Sequence, residues 1–278
     1  MSLKALIAQA KRGEILMPRL HRFLAEQDKQ KGGALKSKAG VIEDARLTIA
    51  TFKERIAEYN HGTEIEGEYF HPSQLGRCLR AMWFDHFKAP KPQKVTGAEL
   101  LRTHMTFETG TYVGVVFQNL CERAGYLTAR EVPIMDAGLK ILGHADGTLR
   151  IDKVNYILEI KTINARNFSL LSGPKDDHKR QCHAYMKALK MNFAIVVYLE
   201  KDRHGVKEYL VEFDDDYYSE FVEKRINAHF KSLRTRKPPE REGMSPASDI
   251  CKWCAFQQVC FEPQRSASFL KQVAQGKQ

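Results

Sequence analysis

Residues 143–162 read GHADGTLRIDKVNYILEIKT, and this run constrains the fold more than any other. Its apolar residues recur with period two on either side of Asp152-Lys153, as in an antiparallel two-stranded ribbon. In NYILEIKT, Tyr156, Leu158 and Ile160 share one face, while Ile157, Glu159 and Lys161 share the other. With Asp152 and Lys153 at the tip of a two-residue hairpin, Ile151 pairs with Val154, and counting back sets Asp146 opposite Glu159. Three ionisable side chains then meet on one face. By spacing alone they are either a cross-strand salt bridge, worth little at a surface, or a metal site. Two carboxylates suit Mg²⁺ or Mn²⁺, which prefer oxygen ligands, activate water and neutralise phosphoryl charge. A lysine beside them can orient that water or the phosphate.

The flanking sequence predicts an α/β core, in which an antiparallel ribbon is followed by a crossover helix and further strands. Helices are expected at about 99–124, 176–190 and 215–233, and strands at 131–135, 139–151, 155–162, 193–200 and in VKEYLVEFD. Pro133 belongs in an edge strand or a loop. HPSQLGRCLRAMWFDHF reads as a helix starting at Pro72-Ser73, and KAPKPQKVTG as a linker. Helical patterns also cover 1–27 and 41–60, joined by a Gly/Lys-rich connection. The expected organisation is a helical, basic extension over 1–65, one main domain over 66–263 and a flexible tail over 264–278.

The 278-residue chain carries a formal charge of +10, which favours a polyanionic partner, nucleic acid first. Charge does not choose between DNA, RNA and an anionic membrane. No apolar run reaches the length of a membrane span and no secretion-signal pattern opens the chain, so a cytoplasmic protein with no membrane partner is expected. Six cysteines in such a chain do not suggest a disulfide framework. Cys251-x₂-Cys254-x₅-Cys260 is a metal-type pattern, and Cys78 can supply a fourth thiolate. Taken alone, the set suits zinc as well as an iron–sulfur cluster. Cys121 and Cys182 have no matching partners and read as buried thiols.

GHADG followed by LEIKT resembles the PD-(D/E)XK nuclease core, with Asp146 as the first acid and Glu159-Ile160-Lys161 as the E-x-K element. The resemblance implies a restriction-endonuclease-like core, a central mixed sheet flanked by helices. It also implies catalysis by Asp146, Glu159 and Lys161, with the Ile160 backbone carbonyl as a further metal ligand. Gln181 and Tyr185 in QCHAYM resemble the Q-x-x-x-Y motif of RecB-like members and would position water or the DNA backbone. One cysteine before the core and three after it resembles the iron–sulfur RecB-like exonucleases, including the CRISPR-associated family, the AddAB nuclease and phage-encoded relatives. That layout implies a [4Fe–4S] cluster on Cys78, Cys251, Cys254 and Cys260, with zinc as the substitute.

The resemblance covers roughly residues 72–261 and departs from the family at one place. The metal-binding His expected on the preceding helix is Gly114 here. Either Glu108 or Gln118 replaces it, or Gly110 and Gly114 serve close helix packing; His104 is a more distant candidate. Lys175, His178, Lys179 and Arg180 are either phosphate contacts or a charged helix start. The activity implied is a Mg²⁺/Mn²⁺-dependent DNA exonuclease acting at ends, in phage or mobile-element recombination. The alternatives are a structure-specific endonuclease and a non-catalytic nucleic-acid-binding subunit with a decayed core. No P-loop is present, so a helicase, recombinase or single-strand-binding partner would be a separate protein.

Overall fold

The computed structural model describes residues 15–30, 46, 50, 69–91 and 96–276. Apart from Arg46 and Ala50, the helix expected over 41–60 lies outside the described residues, as do residues 1–14. In chain order the elements are α1 (Met17–Gln30), α2 (Leu79–His86), α3 (Gly97–Arg123), β1 (Leu127–Asp136), β2 (Ile141–Ile151) and β3 (Val154–Ile163). There follow α4 (Ala165–Ser169), α5 (Asp176–Leu189), β4 (Phe193–Glu200), β5 (Val206–Glu212), α6 (Asp215–Tyr218), α7 (Lys224–Thr235), α8 (Gln257–Phe261) and α9 (Pro263–Ala274). A π turn, Ser219–Glu223, joins α6 to α7 within the span expected as one helix.

The strands form one five-stranded sheet in the order β1-β2-β3-β4-β5 among the described residues, antiparallel throughout except for the parallel β3–β4 pair. Parallel neighbours need a long crossover, and α5 sits within it. Pro133 falls in β1, an edge strand, where its missing N–H costs no ladder bond on the open side. Thus the chain has a mixed α/β fold with a five-stranded sheet flanked by helices.

Two compact units divide the chain: residues 1–72 with 103–214, and residues 73–102 with 215–278. In the first, one sheet face carries Leu149, Ile151, Tyr156, Leu158, Ile195, Val197 and Leu199, packed with Phe117 and Cys121 of α3. Ile15, Leu16 and Leu20, within the stretch read as a helical, basic extension over 1–65, belong to the same core. A side chain on β5 ties them there. Glu208 is buried and accepts the backbone N–H groups of Ile15, Leu16 and Met17 at 2.6–3.1 Å, filling the open donors at the start of α1.

The second unit is built on aromatic packing. Trp83, Phe84 and Phe87 meet Phe256 and Phe269, together with Leu233, Val259 and Val273. The stretch from Pro72 to His86 departs from expectation. Pro72–Gln74 make only a 3₁₀ turn, and the helix begins at Leu79, whose N–H is accepted by Glu242 at 2.7 Å. The tail expected as flexible over 264–278 is helical up to Ala274, within α9. Pro263 at its first position presets the helical φ, and Phe269 and Val273, one turn apart, are buried. Thr96 and Glu99 cap α3 reciprocally: Thr96 N–H and hydroxyl donate to Glu99 at 2.8 Å, and Glu99 N–H donates back at 3.2 Å.

Candidate active site

The hairpin tip lies where the alternation places it, with Ile151 paired to Val154 across Asp152 and Lys153. Both tip residues hold positive φ, 49° and 68°, the conformation of a tight primed turn. The ladder then runs back only to Gly147–Leu158. At the next position the strands part, and the Asp146 carboxylate takes the place of a backbone acceptor: its Oδ2 receives the Ile160 N–H at 2.5 Å. Gln118 of α3 fixes the same residue from its backbone, donating from Nε2 to the Asp146 carbonyl at 2.6 Å. Gly147 permits the approach of β1, because a Cβ there would lie 2.8 Å from the Ala129 carbonyl oxygen.

Glu159, on the α5-facing side of β3, is 2% exposed. One of its oxygens meets Lys161 Nζ at 2.5 Å; the other, Oε2, is buried without a hydrogen-bond partner. Burial is the chief reason its pKa rises to about 7, and Asp146 adds to the rise against the pull of Lys161. Burial works against the Lys161 ammonium, yet Glu159 and Asp146 outweigh it and hold its pKa above the usual lysine range. Lys161 also donates to Gln181 Oε1 at 3.1 Å, and Gln181 Nε2 donates to the Tyr185 hydroxyl at 2.8 Å. Two of the three ammonium donors are therefore committed. Gln181 and Tyr185, four residues apart on α5, are both buried. Asp176 and Asp177 in its first turn and Lys187 in its last suit the helix dipole.

The structure thus joins Gln118, Asp146 and Ile160 in one hydrogen-bonded group and Glu159, Lys161, Gln181 and Tyr185 in another, the two meeting on β3. Glu108 and His104 are exposed on α3. The two glycines differ: a Cβ at Gly110 would lie 3.3 Å from Thr162 Oγ1, while at Gly114 it would meet nothing within 4 Å. Close packing thus explains Gly110 alone. Of the basic group, Lys175 is exposed, Lys179 and Arg180 are half-buried, and His178 is turned onto Tyr198. Tyr198 escapes sequence reading because FAIVVYLE is a continuous apolar run, typical of a strand buried on both faces. Glu131 of β1, 3.4 Å from Gln118 Nε2, carried no motif and is also missed.

In the second unit, Cys78, Cys251, Cys254 and Cys260 line one cavity with Arg80, Arg241 and Phe256 among its walls. All are free thiols. Burial raises the Cys251 thiol pKa first, and the three other thiols raise it further. Gly243 makes room for it, since a Cβ there would sit 2.3 Å from the Cys251 sulfur. Among the described residues, no group of three or more His, Cys, Asp or Glu side chains is placed to hold a metal ion. Cys121 and Cys182 are buried. Among the described residues, no helix is long and apolar enough to cross a membrane.

No protein-family profile matches the chain, and no curated protein matches it. Among solved structures, SSO0001 is similar over 77% of this chain and 96% of its own, at 20% identity and a TM-score of 0.47. An alkaline exonuclease (LHK-Exo) from Laribacter hongkongensis is similar over 60% of this chain and 89% of its own, at 15% identity and a TM-score of 0.42. The same figures describe its complex with dAMP. These likenesses are loose.

Proposed function

We propose that the chain is a divalent-metal-dependent DNA nuclease of the PD-(D/E)XK type, acting as an exonuclease at DNA ends. The observation that carries the reading is Glu159: a buried carboxylate with one oxygen tied to Lys161 and the other unpartnered, across a parted ladder from Asp146. Burying such a charge without a partner is costly. A cation-binding role explains why the sequence keeps it, and an ordinary cross-strand salt bridge does not. Asp146 and Glu159 fit a Mg²⁺ or Mn²⁺ ion as oxygen donors, with the Ile160 carbonyl as the third ligand the resemblance implies. Such an ion, when bound, supplies Lewis acidity at the phosphate and lowers the pKa of water.

The remaining work falls to the chain's own groups. Lys161 offers its third N–H to the attacking water or to a phosphate oxygen, and its charge stabilises the negative charge that builds on the phosphoryl oxygens. Gln181 and Tyr185 hold the ammonium in place from α5. Gln118 and the Ile160 N–H keep Asp146 at the mouth of the split. DNA as substrate and ends as the point of attack follow from the motif resemblance and the net charge.

The four thiols of the second unit are proposed to hold a [4Fe–4S] cluster. Four thiols lining one cavity are the donor set that such a cluster takes, and the spacing of the cysteines resembles that of iron–sulfur nucleases. Its role is to fasten residues distant in sequence.

Protein purified without oxygen, wild type beside Asp146→Ala, should be incubated with end-labelled single-stranded, duplex and circular DNA plus Mg²⁺ or Mn²⁺. Shortening of linear DNA, sparing of circles and loss of activity in the variant are expected. Cutting of circles would make the protein an endonuclease. DNA binding without cleavage by either protein would reduce the site to a relic within a binding subunit.

A further inference from the structure

The site face continues from β3 onto β4. Tyr198 is the register partner of Lys161 in the parallel β3–β4 pair, so the two side chains stand side by side on one face. Tyr198 is fully buried, and that burial raises its pKa above the usual phenol range, so the hydroxyl keeps its proton. The hydroxyl oxygen accepts the Lys175 backbone N–H at 2.9 Å and lies 2.7 Å from His178 Nδ1. If the phenolic proton fills the Nδ1 contact, Nδ1 is the acceptor and the imidazole carries its own proton on Nε2.

Three charged groups face the ring. Burial is the main influence on it, Lys161 and Lys175 act the same way, and Asp177 opposes them; together they hold His178 neutral, with a pKa drawn down to about 4. Nε2 lies 3.7 Å from Asp177 Oδ2, beyond hydrogen-bond reach. The side chain keeps 17% of its surface open. The result is a neutral imidazole beside the lysine of the site, its orientation locked at one nitrogen and a donor presented at the other.

We propose that His178 is a substrate-contacting residue whose Nε2–H donates to a non-bridging oxygen of the nucleic-acid phosphate next to Lys161, and that Tyr198 is the positioning residue that fixes the tautomer. This rests on the nuclease reading above. A neutral donor grips the phosphate without placing a second positive charge against the Lys161 ammonium. It also keeps its proton at neutral and alkaline pH, where a cationic histidine would be lost.

Two measurements test it separately. In the full-length protein labelled with ¹⁵N-histidine, two-bond ¹H–¹⁵N correlations, assigned with His178→Gln, should show Nδ1 of His178 as the unprotonated nitrogen. Tyr198→Phe should release that preference. A protonated Nδ1 in the wild type overturns the proposal, whatever the enzyme cleaves. The second uses DNA with one phosphorothioate of defined stereochemistry at the cut linkage. His178→Ala should lower kcat/KM about tenfold, the scale of one lost hydrogen bond to a charged group. It should also shrink the penalty for one diastereomer, and His178→Gln should restore part of both. A folded His178→Ala that cuts at the wild-type rate with unchanged diastereomer preference overturns the contact. Wild-type protein that binds but cuts no DNA overturns the nuclease reading and the contact with it, while the tautomer stands or falls on the spectrum alone.

Discussion

Glu159 is buried with one oxygen on Lys161 and the other without a hydrogen-bond partner. With a pKa drawn to about 7 by burial, it holds its proton more readily than an exposed carboxylate, and a bound cation would displace that proton. Glu159→Gln keeps the shape and one acceptor but removes the charge. Rapid-quench assays should show cleavage lowered on the order of 10³-fold, with DNA affinity within about threefold of wild type, because transition-state charge stabilisation is lost and ground-state binding is not. An equal fall in affinity would move Glu159 from chemistry to binding. His178 makes a prediction about stability. Its pKa falls from 6.5 when unfolded to about 4 when folded, so the unfolded chain binds the extra proton. The contribution is therefore complete above pH 6.5 and is lost as the pH falls through about 4. The pH dependence of unfolding free energy should be flatter for His178→Gln, with wild type losing about 2–3 kcal/mol more between pH 7 and pH 4. Superimposable curves would show that the ring titrates normally.

Among the elements, the β2–β3 hairpin and α5 could be read in advance, because both announce themselves by period: two in NYILEIKT, and four between Gln181 and Tyr185. The parting of the ladder beyond Gly147 could not. It depends on a side chain, Asp146, substituting for a backbone carbonyl, and alternation carries no signal for that. Nor was the docking of α1 legible, since it turns on one buried acid 191 residues or more away in sequence. Glu208→Ala should leave three N–H groups without acceptors and cost about 2–4 kcal/mol. Hydrogen exchange would show it first in residues 15–30; unchanged protection there would mean that Ile15, Leu16 and Leu20 hold the helix unaided. Gly147→Ala tests the neighbouring strand pair. With β1 pushed off the Ala129 contact, a loss of about 1–3 kcal/mol is expected, and cleavage should fall with it because Asp146 is the adjacent residue.

At the scale of the whole molecule, the thiol cavity and the sheet site make different demands. Anaerobically purified protein should contain about four iron and four sulfide per chain, and Cys254→Ser should lower both while reducing the melting temperature. Zinc at one equivalent, with no iron, would replace the cluster reading. DNA binding by a chain of charge +10 should weaken steeply between 50 and 200 mM salt, by about tenfold or more if several phosphates are contacted.

The division of the chain has a consequence for its manufacture. The second unit takes residues 73–102 from the middle of the sequence and 215–278 from its end, with Cys78 on the early piece and Cys251, Cys254 and Cys260 on the late one. On the ribosome, the residues of the first unit have all been made when Asp214 is added, whereas Cys78 must wait until Cys251, Cys254 and Cys260 have followed it. An early thiol left waiting is open to oxidation and to the wrong metal. The residues that form the sheet and the candidate active site are therefore all made before the four-cysteine cavity can close.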